Sequence, residues 1–208
     1  LASDVLGSCS PSEYYHNFNS TQIWNCYYPV AMVEKMLGKE INQASDYEIV
    51  MSFNKNFTNW YFGTDGATPT DKYDFVTTAL HELAHGLGFH GYFYAQRGRG
   101  GYGGNDGLAT VFDQFVINKS GDRLLDSKLF TNPSVKLYQS LTSEWLAFKT
   151  RLVTDSLPRL YAPATWDNGS SIYHLDDVKY PTGDANSLMT HAMGLGEANH
   201  NPGPYTLA

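Results

Sequence analysis

Between Asp74 and Gly91 the apolar residues Val76, Ala79, Leu80, Leu83, Ala84 and Leu87 recur at steps of three and four, the period of an amphipathic helix. Asp74 or Thr77 is suited to cap or charge its start, and Gly88 to end it in a left-handed turn that swings the chain back. A shorter helix is predicted at Val30–Leu37, opened by Pro29 and stopped by Gly38, with Val30, Val33, Met36 and Leu37 apolar. Residues 47–54, YEIVMSFN, read as a strand that is apolar on both faces at Ile49–Met51. Asn59–Phe62 extends the sheet, and the turn-rich Gly63–Asp71 leads into the long helix.

The pattern changes after Gly91. Arg97–Gly107 holds six glycines in eleven residues and lacks the G-K-[ST] ending of a phosphate loop, so a mobile loop near the cleft is expected rather than a nucleotide site. Asn105 and Asp106 are its only hint of calcium. Thr110–Asn118 and Arg123–Leu125 read as a hairpin closed by Lys119–Asp122. Asn132–Pro133 opens a predicted helix reaching about Lys149, whose stripe of Leu137, Leu141, Trp145 and Phe148 is core packing. Residues 1–27 read as an irregular arm, and no internal repeat is evident.

With 208 residues the chain can bury one sizeable core, in two lobes with a cleft between them. Its charge of −7 and pI near 5.4 argue against nucleic acid or an acidic membrane as partner. No run of 18 apolar residues is present, so no membrane span is expected. Nothing at Leu1 reads as a signal peptide, and a mature or excised chain is expected. The 15 Tyr and 11 Phe, with only 17% charged residues, suit a secreted hydrolase. In that setting Cys9 and Cys26 are expected to form one disulfide stapling the arm, the rival being a thiolate that acts on a metal as a latency switch. Sequons begin at Asn19, Asn56, Asn118 and Asn168.

Candidate chemistry lies in the long helix, which carries His81, Glu82 and His85 as H-E-x-x-H. Residues four apart share a face about 6 Å apart along the axis, so both imidazoles reach one zinc, and Glu82 is placed as general base beside its open position. The rival is two surface histidines, but this helix is too apolar to be solvated. A catalytic zinc takes three protein ligands, and the third is not settled by spacing. His90, His174, His200, Glu197 and Glu144 compete for it. Glu144 on the predicted later helix would match a gluzincin plan, and Asp176 or Asp177 is placed to orient the second ring nitrogen of His174. Glycine stands at 91, where the compact H-E-x-x-H-x-x-G-x-x-H spacing puts its last histidine, and His90 is one residue short.

H-E-x-x-H-x-x-G-F at 81–89, a long insertion, His174, then Ser187-Leu-Met189-Thr and Gly196-Glu197 before His200-Asn-Pro-Gly-Pro204 resembles the leishmanolysin-like branch of the metzincin zinc peptidases, in secreted bacterial forms. The likeness spans roughly residues 45–205, with specific motifs at 77–89 and 170–204. It implies an α+β zincin/metzincin-like catalytic domain, with a small twisted mixed sheet and zinc helix above a mostly irregular lower subdomain. The chain would be one domain over 1–208, its upper subdomain 1–91 and its lower subdomain 92–208. The likeness further implies Zn2+ on His81, His85 and His174, Glu82 as base and Met189 as the floor of a methionine turn. His191 falls where related enzymes carry an oxyanion-binding tyrosine. The strand at 47–54 would form the upper rim of the cleft, pairing with an extended protein or peptide substrate. A secreted endopeptidase acting as a monomer is the implied function. The alternatives are a zincin-like module that binds peptide or matrix without cutting, and the gluzincin plan with Glu144.

Overall fold

The structure, a computed structural model, describes residues 1–2, 5–104, 106–153 and 156–207. Among the described residues the chain is mixed α/β, with small sheets and three helices. In order the elements are β1 (Gly7–Pro11), β2 (Tyr14–Tyr15), β3 (Cys26–Pro29), α1 (Val30–Leu37), β4 (Ile49–Phe53), β5 (Trp60–Tyr61), β6 (Tyr73–Asp74) and α2 (Phe75–Leu87). There follow β7 (Phe93–Gln96), β8 (Arg99–Tyr102), β9 (Ala109–Thr110), β10 (Val116–Ile117), α3 (Val135–Leu141), β11 (Leu146–Phe148) and β12 (Arg159–Leu160), with 3₁₀ turns at Phe112–Phe115 and Ser187–Met189. Among the described residues no helix is long and apolar enough to cross a membrane.

The arm expected to be irregular contributes three strands. β1 pairs antiparallel with β4, Cys9 opposite Met51 and Gly7 opposite Phe53, and both strands pack on α2. β2 and β3 join β9 in a second sheet, while β5 runs parallel to β6 as a separate pair. The expected disulfide is not formed. Cys9 faces Gly86 of α2 from β1, whereas Cys26 is buried in β3 with its thiol on the Ile23 carbonyl; they belong to different sheets and both are free.

Three corrections concern the chain after Gly91. The predicted helix stops at Leu141, because Glu144 takes a left-handed conformation (φ 57°) and its N–H bonds Ala162 O, turning the chain into β11 between β10 and β12. Strand pairing with sequence-distant partners overrides the helical spacing of Trp145 and Phe148. The glycine-rich stretch is not a loose loop but the β7–β8 hairpin: a side-chain carbon on Gly100 would come within 2.5 Å of the Tyr138 amide of α3. Asn105 lies outside the described residues, and Asp106 accepts a hydrogen bond from the Tyr27 hydroxyl (2.7 Å). The expected hairpin keeps only a bridge between Ile117 and Arg123, its first limb broken by the 3₁₀ turn at 112–115.

The larger core draws all its buried members from Phe93–Met189, with Leu80, Ala84 and Phe89 at the end of α2 packed against it. A smaller cluster around Cys26, Tyr28 and Val33 supports the arm and α1. α2 is therefore the shared wall, with β1–β4 on one face and the larger core on another.

Asp74 anchors the start of α2. It is fully buried, and its carboxylate accepts hydrogen bonds from the Thr77 N–H (2.7 Å), the Thr77 and Thr68 hydroxyls (2.8 and 2.6 Å) and His200 Nε2 (2.7 Å). Burial pushes this carboxyl upward, but the donors, Thr68 foremost, outweigh it and hold it below the usual range. Losing a cap and orphaning buried donors predicts that Asp74→Ala lowers unfolding free energy by about 2–3 kcal/mol, and Asp74→Asn by less, read from urea denaturation midpoints.

Candidate metal centre

His81 and His85 lie one turn apart on α2, and His174 meets them from the segment that follows β12. Each ring is oriented by a backbone carbonyl. His81 Nδ1 donates to Leu188 O at 2.7 Å, His85 Nδ1 to Phe89 O at 2.7 Å and His174 Nδ1 to Ser170 O at 2.8 Å. The second of these exists because Gly88 (φ 131°) ends the helix and folds Phe89 back, with Phe89 N–H on Ala84 O. His174 is delivered by a segment tied to Tyr161 through Ile172 N–H and His174 O, and to Met189 through Leu175 N–H.

A carbonyl oxygen only accepts, so each Nδ1 carries the ring proton and each Nε2 is a bare acceptor. The three Nε2 atoms stand 3.0, 3.2 and 3.2 Å apart. A tetrahedral ion at about 2.0–2.1 Å from each requires separations of about 3.3 Å. Protonation does not relieve the crowding. Burial, reinforced by His85, drives His81 down to about 3; burial also lowers His85, and burial with both neighbours lowers His174. Three converging lone pairs without a proton between them repel unless a cation lies among them, and an all-imidazole set suits zinc and its first-row neighbours.

Glu82, next to His81 on α2, is 6% exposed, and among the described residues its carboxylate receives no hydrogen bond. Burial pushes it up to about 7. A side-chain carbon on Gly7 would stand 2.7 Å from Glu82 Oε1, so β1 lies against the carboxylate.

The remaining candidates fall as follows. Met189 is fully buried in the 3₁₀ turn, next to the Leu188 carbonyl that orients His81. His191 stacks on Tyr161 (centroids 3.9 Å apart, 12° between planes) with Nδ1 3.8 Å from Asp177 Oδ2. It adds to the electrostatic pressure on His174. His90 turns to the Tyr14 hydroxyl (3.0 Å), His200 to Asp74 and Glu197 to Thr182 (3.1 Å). Glu144 is exposed beyond α3 and, among the described residues, joins no ligand group. Orientation of His174 comes from Ser170, not from Asp176 or Asp177, because its ring points back toward its own turn. The carbonyl partners carry no side-chain signature, and neither Tyr161 nor Gly7 is marked by any motif. The isolated glycine at position 7, within a strand, was the one available hint of close approach.

The family model described as SPBPB7E8-like matches residues 2–97, less than half of the chain, and covers α2 but not His174. No curated protein and no solved structure matches.

Because the buried histidines refuse protons that their unfolded counterparts accept from pH 6.5 downward, the unfolded chain binds more protons in that range. Metal-free protein is therefore expected to lose stability as pH falls from about 6.5 toward about 3, less steeply for His174→Ala, as measured by denaturation across a pH series.

Proposed function

We propose that the chain is a zinc-dependent peptidase of metzincin type, allied to the leishmanolysin-like branch, that hydrolyses peptide bonds in extended substrates. The observation that carries this is the set of three unprotonated Nε2 atoms within 3.2 Å of one another, with a buried carboxylate, Glu82, next in sequence to the first of them on the same helix. His81, His85 and His174 would hold the ion, leaving a fourth position open. Zinc bound there supplies Lewis acidity toward the scissile carbonyl and acidifies a water molecule.

Glu82 does the proton work. A carboxyl near 7 takes a proton from the attacking water at neutral pH and returns it to the leaving amine. Gly7 leaves the Glu82 carboxylate room that any side chain there would take. His191 offers a ring N–H to the carbonyl oxygen as negative charge builds on it. β1 pairs with β4 alone among the described residues, so its other edge is available to an extended peptide alongside Glu82. Met189 closes the site below, and its neighbour Leu188 fixes the His81 tautomer.

Purified protein loaded with zinc is expected to digest casein and to stop with a chelator. Glu82→Gln should keep one equivalent of zinc while kcat falls by about 10²–10⁴. Full activity in Glu82→Gln contradicts the mechanism, and zinc retention without cleavage of any peptide library indicates a binding module.

A further inference from the structure

Position 91 lies in the turn that follows α2, and its neighbourhood is filled from elsewhere. A side-chain carbon there would run into Asp113 Oδ1 and Tyr173 Cε1. Asp113 is fully buried and serves three separate segments. Its Oδ2 accepts from Tyr92 N–H (3.0 Å) after α2, and from Thr110 N–H and hydroxyl (2.9 and 3.1 Å) on β9; its Oδ1 accepts from the Tyr173 hydroxyl (2.9 Å). The Tyr173 oxygen in turn accepts from Phe93 N–H, and its ring stacks on His90 (5.7 Å, 18°). Tyr173 directly precedes His174.

We infer that Asp113 is a positioning residue for the third metal ligand, setting through Tyr173 where the His174 imidazole stands relative to α2. The inference rests on the metal reading above and deepens it. The volume beside Gly91 is occupied by a carboxylate–phenol pair that binds the chain leaving the helix on one side and holds the ligand-bearing segment on the other. Ser170 O sets the ring's tautomer; the Asp113–Tyr173 bond sets the height at which the backbone of 173–174 crosses the site. A buried carboxylate with four donors is not replaceable by an apolar residue, because Tyr92, Thr110 and Tyr173 would all lose their partner.

The test compares Asp113→Ala, Asp113→Asn and Tyr173→Phe with the parent chain by zinc affinity in competition with a chromophoric chelator, by the visible spectrum of the cobalt-loaded protein, and by metal-free folding from circular dichroism. Asp113→Ala and Tyr173→Phe are expected to fold, to bind zinc about 10–100-fold more weakly, and to show an altered cobalt spectrum as the third nitrogen is lost. Asp113→Asn keeps the shape, accepts from the Tyr92 and Thr110 amides, and is expected to restore affinity close to the parent's. If Asp113→Ala does not fold, Tyr173→Phe carries the comparison. Tyr173→Phe with parental affinity and spectrum overturns the inference while leaving the metal reading intact. A parent chain that takes up neither zinc nor cobalt overturns both.

Discussion

Three nitrogen lone pairs pointed at one another from 3.0–3.2 Å are the constraint around which this chain is arranged. Their repulsion follows from hydrogen bonds on the other side of each ring, where backbone carbonyls leave no choice of tautomer. Each carbonyl comes from a different stretch: Leu188 from the late 3₁₀ turn, Phe89 from the reversal at Gly88, Ser170 from the turn before the third histidine. The larger core, built from Phe93–Met189 and closed against Leu80, Ala84 and Phe89, brings those stretches together.

A single property of the site acts on both kinds of group. Removal from water disfavours whichever form of a group is charged. It keeps the imidazoles neutral, the form in which an imidazole can bind a metal, and it raises Glu82 to about 7, where a carboxyl can both take and return a proton. The helix accommodates both because Glu82 is rotated about 100° from His81, toward β1, while His85 returns to the His81 side. The C-terminal segment then runs back along the helix, touching Thr78 with Met193, Thr77 with Asn199 and Asp74 with His200. That contact line binds the segment around the Ser187–Met189 turn to the helix that carries His81 and His85.

Both α1 and α2 were legible in the sequence because apolar period, opening residue and closing glycine agree locally: Pro29 and Gly38 for one, Asp74 and Gly88 for the other. The pair His81 and His85 was equally legible, since i and i+4 are set by helix geometry alone. What was not legible depends on distant partners. Leu146–Phe148 reads as helix until β10 and β12 flank it, and Arg99–Tyr102 reads as loop until α3 is seen to need its glycines. His174 stood among five competing ligands on the residues alone and was singled out by resemblance, because nothing in the spacing of residues 86–173 encodes its meeting with α2. Cys9 and Cys26 looked like a pair only because they are the chain's two cysteines; their sheets keep them apart.

X-ray absorption at the zinc edge, on protein reconstituted with one equivalent of zinc, addresses the convergence directly. Three imidazole nitrogens and one further light atom at about 2.0–2.1 Å, with one imidazole lost in His174→Ala, is the predicted result. A sulfur shell at about 2.3 Å, or a first shell with fewer than three imidazoles in the parent chain, contradicts it.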